Sequence, residues 1–170
     1  MDPCLERLHR ELASSYEGMT SEELSRRPPG KWSTAEVLEH LYLTYTGTIK
    51  GFSRVAEAGK SLATRSSWPH RVKRMVVLGL SYLPSGRKSP GVASPRGLPT
   101  EQVLSEIDGK IGEMDTMIAI CEQKLGGGRL LDHPVLGPLT GAQWRKFHLV
   151  HGLHHVKQIR ALREGAPPEN

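Results

Sequence analysis

Apolar residues recur at helical spacing along most of the chain. Leu5, Leu8 and Leu12 form a stripe that predicts a first helix from about Pro3 to Glu17, with Glu6 and Arg10 as an i,i+4 pair. Thr20 and Glu23 have capping-box spacing and open a short helical turn that "RRPPGKW" stops. Ser33 and Glu36 repeat that spacing and start a long helix, in which Val37, Leu41, Thr44, Thr48 and Val55 share a face. Gly47 and Gly51 weaken this helix but permit close packing. Residues 68–83 predict a shorter amphipathic helix, with Val72, Met75, Val76 and Leu80 on its apolar side and Arg71, Lys73 and Arg74 on the other. The clearest period runs from about Thr100 to Leu125. There Leu104, Ile107, Ile111, Met114, Ile118, Cys121 and Leu125 alternate at spacings of three and four, and Gly126, Gly127 and Gly128 end the run. A last helix begins near Thr140, after a loop containing "HPVLGPLT".

No strand-like alternation stands out. The pattern predicts an all-α protein: an antiparallel four-helix bundle with an additional short helix, as a single domain over residues 1–170. Residues 84–99, "PSGRKSPGVASPRGLP", hold Arg87, Lys88 and Arg96 and no acid, and predict a flexible basic loop. Residues 164–170 read as a tail.

Composition narrows the function classes. With 37% hydrophobic and 24% charged residues over 170 positions, the chain can bury a core and is neither disordered nor fibrous. The net charge of +5 comes from Lys and Arg spread along the chain, with 5% aromatics and no nucleic-acid motif. It therefore reads as a mild bias toward anionic small molecules rather than specific nucleic-acid binding. No apolar run approaches the ~20 residues of a membrane span. The start, "MDPCLERLHRELASSYEG", lacks the apolar core of a signal peptide, so a cytoplasmic location is expected. Cys4 and Cys121 make no disulfide framework, and Cys121 reads as a buried core thiol.

The histidines change the picture most. "FHLVHGLHHVKQIRALR" (147–163) carries His148, His151, His154 and His155. Positions four apart lie ~40° apart around a helix, so His151 and His155 share a face one turn apart. His148, Gln158, Trp144 and Leu162 fall on the same stripe, whereas His154 lies off its centre. Two imidazoles at i,i+4 can hold one ion, but a catalytic ion usually has three protein ligands and an open position. His40, on a different long helix and beside its core-facing stripe, is the best third candidate. Three neutral imidazoles suit Zn, Ni, Fe or Co as divalent ions. Spacing alone leaves a hydrogen-bonded or surface pair equally open.

Two separated motifs bear on that choice. "PPGKWSTAEVLEHL" (28–41) and "HPVLGPLTGAQWRKFHLVHGLHHVKQI" (133–159) together resemble the DinB-like superfamily, in which a Trp-Ser/Thr helix start leads to a Glu/Ala-His-Leu and a final helix carries H-x-x-H-H-x-x-Q. Here the corresponding residues are Trp32, Ser33 and His40, then His151, His154, His155 and Gln158. The resemblance implies a four-helix bundle, often dimeric, with a divalent metal held by His40, His151 and His155, and His154 not bound to it. It also implies chemistry on low-molecular-weight thiols, as S-transferases or an isomerase, or metal-dependent hydrolysis.

The expected function is thus a metal-dependent enzyme that activates a thiol for transfer to an electrophilic small molecule. The alternatives are hydrolysis by metal-bound water and a non-enzymatic metal-binding or stress-response module. No protein nucleophile is expected. His148, Gln158 and Glu36 are candidates for metal support or acid–base work, although packing explains His148 and the capping box explains Glu36. Arg87, Lys88 and Arg96 could meet an anionic cofactor. His133 is expected to shape its loop, Trp32 and Trp144 to anchor the bundle, and His9 and His70 to lie on the surface. Leu149, Leu153 and Val156 give the last helix a second apolar side, for a homodimer interface or the added helix to cover.

Overall fold

The computed structural model describes residues 1–83 and 91–165, so Arg87 and Lys88 lie outside the described residues. The chain is mostly helical. Helix α1 (Pro3–Tyr16) is capped by Asp2, whose side chain accepts from the Cys4 amide, with Pro3 fitted to the first turn. Helix α2 (Ser21–Ser25) has the expected Thr20–Glu23 capping box. Helix α3 (Thr34–Ala58) starts from the Ser33–Glu36 box and ends at Gly59, whose φ of 60° lies in the left-handed region glycine favours. Helix α5 (Thr100–Leu125) matches its predicted bounds, and helix α6 (Gly141–Arg163) starts from Thr140 and Gln143.

These longer helices share one core. Helix α3 packs on α5, α1 packs on α6, and α5 also touches α1 and α6. Leu5, Leu8, Leu12, Ile107, Ile111, Met114 and Ile118 are fully buried, each supplying roughly 2 kcal/mol of transfer free energy. Cys121 is buried among them, and its thiol points at the Phe52 carbonyl.

Three expectations need correction. First, residues 129–140 contain a two-stranded antiparallel hairpin, β1 (Arg129–His133) with β2 (Gly137–Thr140). Pro134 and Gly137 break the apolar run into pieces too short to show alternation, but the turn they make lets the strands pair. The hairpin seats on α3 at Gly51, where a Cβ would stand 2.6 Å from the Leu131 side chain.

Second, residues 68–83 do not form one amphipathic helix. Helix α4 (Trp68–Arg74) gives way to a π-helical turn, Met75–Gly79. The wider turn rotates the side chains that follow, leaving Met75 and Leu80 mostly exposed and burying Val77. Arg74, expected outside, is buried, with its guanidinium donating to the Leu136 and Pro138 carbonyls and to the Ser66 hydroxyl. His70 is half-buried, and its ring abuts Gly137, leaving no room for a Cβ there.

Third, the second apolar side of α6 is covered by α1. Leu149 and Val156 are buried, and Gly152 lies so close to Leu8 that any side chain there would collide with it. Leu153, the third residue of that side, is half-buried and packs against the same core. Among the described residues no helix is long and apolar enough to cross a membrane.

Candidate metal centre

The inner faces of α3 and α6 bring His40, His151 and His155 together, all buried, with one ring nitrogen from each within 4.8 Å of the others. The nitrogens that converge are Nε2 atoms: His151 Nε2 lies 3.1 Å from His40 Nε2 and 3.1 Å from His155 Nε2. Two nitrogens each about 2.05 Å from a tetrahedral ion would stand about 3.3 Å apart, so the two spacings at His151 are close to those of a ligand set, and the third lies within 4.8 Å.

Their outer nitrogens explain why the inner ones face inward. His40 Nδ1 lies 2.7 Å from the Ala93 carbonyl, which can only accept, so Nδ1 carries the hydrogen and Nε2 keeps its lone pair. His155 Nδ1 lies 2.7 Å from Gln158 Oε1, while the amide nitrogen of Gln158 reaches His154 Nε2 at 3.2 Å. In this arrangement His155 Nε2 is also a lone pair. His151 has one hydrogen to offer and two acceptors before it, and its Nδ1 is buried without a partner. The cluster therefore leaves lone pairs facing each other, which one divalent cation would resolve.

The electrostatics agree. Burial, then the neighbouring His155 and His40, hold the His151 pKa well below its ordinary value. Burial, then His40, pushes His155 down to about 3. Burial also lowers His40, against the opposing pull of the Ala93 carbonyl. All three rings are neutral at pH 7, the state a metal ligand needs.

The triad forms part of the wall of a cavity of about 960 Å³. Its remaining walls are largely apolar, with Trp32, Val37, Leu43, Val92, Leu136 and Phe147 among them, and Lys31, Arg54 and Lys73 add positive charge. Asp132 is the one carboxylate there among the described residues, and both its oxygens are engaged by Thr64, one by the amide and one by the hydroxyl. Gly47, which has open space where a Cβ would lie, also borders the cavity.

The other expected site residues divide. Gln158 lines the cavity and orients His155. His154 takes the other end of the same amide. His148 is fully buried, stacked on Trp144 with its Nε2 3.1 Å from the Thr48 hydroxyl, and does not line the cavity. Glu36 closes its capping box and pairs with Arg27 at 2.9 Å, also outside the cavity. Arg96 bonds back to the Val92 carbonyl and does not line the cavity. His133 shapes its loop as expected: its Nδ1 accepts the Val135 and Leu136 amides, so its hydrogen sits on Nε2 and the neutral ring has no free lone pair for a metal.

Two contributors had not been read as part of the site. Trp32 lines the cavity with its ring centroid 5.3 Å from that of His40, and its place eight residues before His40 was the available signal. The Ala93 carbonyl left no signal, because a backbone acceptor has no residue type.

No curated protein and no solved structure matches the chain. A family described as "Protein of unknown function (DUF1569)" matches residues 13–161, a span that takes in α3, α6 and every residue of the triad. The description attaches no activity to these residues, but the extent of the match makes the chain a member of the DUF1569 family.

Proposed function

We propose that this protein is a divalent-metal enzyme in which His40, His151 and His155 hold the ion, and that it activates a low-molecular-weight thiol for transfer to an electrophilic small molecule. In this reading α1, α3, α5 and α6 form the antiparallel four-helix bundle of a DinB-like protein. The observation that carries the proposal is the convergence of three neutral Nε2 atoms at the wall of an apolar cavity.

When bound, the ion lowers the pKa of a thiol or of water and so supplies a nucleophile near neutral pH. Asp132 is committed to Thr64, so among the described residues no free carboxylate stands in the cavity as a general base. A free thiol starts from a pKa near 8.5, far below that of water, so the ion would have to shift it much less to make it a nucleophile near neutral pH. The new S–C bond then forms as the leaving group departs with its electron pair. Ala93 and Gln158 fix the rings of two ligands, and the apolar walls exclude water and accept the body of the electrophile.

The test is conjugation of 1-chloro-2,4-dinitrobenzene with a panel of small thiols by protein purified without a histidine tag and loaded with Zn, Ni, Fe or Co. Metal-dependent turnover that disappears in His40→Ala is expected. A rate no higher than that of the His40→Ala protein contradicts thiol transfer, and ester turnover without thiol assigns the site to hydrolysis instead.

A further inference from the structure

The residue before His40 is as deeply buried as His40 itself. Glu39 is 3% exposed and sits in the apolar run "VLEHLYL" of α3. A carboxyl group in such surroundings costs several kcal/mol unless its oxygens are bonded. Both are: Oε1 accepts the Arg96 amide at 2.6 Å and Oε2 accepts the Gly97 amide at 3.1 Å. Gly97 has a φ of 83°, a conformation open to glycine that turns its amide toward the same carboxyl group as that of Arg96.

The segment anchored this way is the one that orients His40. Ala93 lies three residues before Arg96, in the 3-10 turn Gly91–Ala93, and its carbonyl is the acceptor for His40 Nδ1. Val92 and Ala93 also line the cavity. A closed path therefore runs from the Glu39 side chain to the Arg96 and Gly97 amides, back along the strap to the Ala93 carbonyl, and into the ring of His40. Adjacent residues of one helix turn hold the two ends of one strap.

We propose that Glu39 is a positioning residue for the metal centre: it pins residues 93–97 to α3 so that the Ala93 carbonyl fixes the tautomer and orientation of His40. The proposal rests on the metal reading above. An outer hydrogen bond to a ligating imidazole typically contributes 10- to 100-fold to metal affinity, and the Ala93 bond depends on the strap staying in place. Replacing one carboxyl oxygen by an amide NH₂ would set a donor against a backbone donor and release one of the two anchors.

The experiment is a Co²⁺ titration followed by visible absorption, on wild type, Glu39→Gln, Glu39→Asp, Glu106→Gln and His40→Ala. Glu106 accepts the Tyr42 hydroxyl at 2.6 Å between α3 and α5 and does not line the cavity, so its variant controls for loosened packing alone. The expected result is Co²⁺ affinity about 10-fold lower or more in Glu39→Gln with an altered ligand-field spectrum, partial recovery in Glu39→Asp, and wild-type affinity in Glu106→Gln. All variants are compared below their unfolding temperatures, read by circular dichroism. If wild type and Glu39→Gln bind within twofold of each other, or Glu106→Gln loses as much as Glu39→Gln, the positioning role is overturned while the metal site stands. If wild type itself does not bind, or binds no better than His40→Ala, the metal reading and this inference fall together.

Discussion

Helix α6 carries two polar clusters that differ in kind, one around the buried guanidinium of Arg145 and one of buried histidines. Near its start, Arg145 donates to Asp115 and Glu122, each at 2.7 Å, and lies 3.9 Å from Asp2, whose own amide is held by Asp115. Each charged group there has an opposite charge within reach, and the cluster ties the N-terminus, α5 and α6 together. Two turns on, three Nε2 atoms of His40, His151 and His155 converge, with His151 3.1 Å from each of the other two. A cluster of opposite charges is a fastening, and a cluster of converging neutral imidazoles has the chemistry of a metal site.

That contrast can be broken from either end. The largest effect is expected at the triad: His151→Ala should abolish stoichiometric metal binding, checked by metal analysis after dialysis, while the fold survives. Next, Arg145→Met should leave the part-buried Asp115 and Glu122 carboxylates without their partner and cost about 1–3 kcal/mol of stability, checked by chemical denaturation, with metal affinity unchanged. If both variants lost stability and metal in parallel, the two clusters would be one structural unit and the distinction would fail. An effect of similar size is expected at Gly152→Ala, which forces a Cβ onto Leu8 and should cost about 1–3 kcal/mol through overpacking of α1 on α6.

A pH-dependent effect concerns two histidines outside the triad. Burial, then His133, pushes His148 down to about 3, and burial pushes His133 down to about 4. Unfolded, both titrate near 6.5. Between pH 6.5 and about 4 the unfolded chain therefore binds more protons than the folded one. Their contribution is fully present above pH 6.5 and falls as pH drops, with a slope of up to about 1.4 kcal/mol per pH unit for each. The triad histidines are lowered in the same direction, so denaturation of the apo protein at pH 7 and pH 5 reads the sum, and the share of His148 is the flattening of the profile in His148→Gln.

The sequence made different parts of the molecule legible for different physical reasons. Helices were readable where periodicity and caps coincide: the Ile107–Ile111–Ile118 seam of α5 and the capping boxes at Thr20 and Ser33. The β1–β2 hairpin was hidden because strands of five and four residues, split by Pro134 and Gly137, show no period. The π-helical turn was hidden because it breaks the 3.6-residue count on which the reading of residues 68–83 rested, and the inward Arg74 was hidden because its acceptors, the Leu136 and Pro138 carbonyls and the Ser66 hydroxyl, leave no local signal. At the site, the triad was legible as a candidate from the i,i+4 pair on α6 and a histidine on a second helix, with the two-motif resemblance choosing among the open readings. The parts that orient it were not, since the Ala93 carbonyl carries no side-chain signature and Glu39 finds its partners in backbone amides nearly sixty residues away.

The central claim is that three imidazoles from two helices form one metal centre. The most direct measurement is a Co²⁺ titration of untagged, metal-stripped protein, read by ligand-field absorption beside the His40→Ala protein. The account predicts saturation at one ion per chain, with the four-coordinate spectrum of nitrogen ligands, lost on replacing His40. Absence of saturable binding, or binding that survives the loss of His40 unchanged, would contradict it.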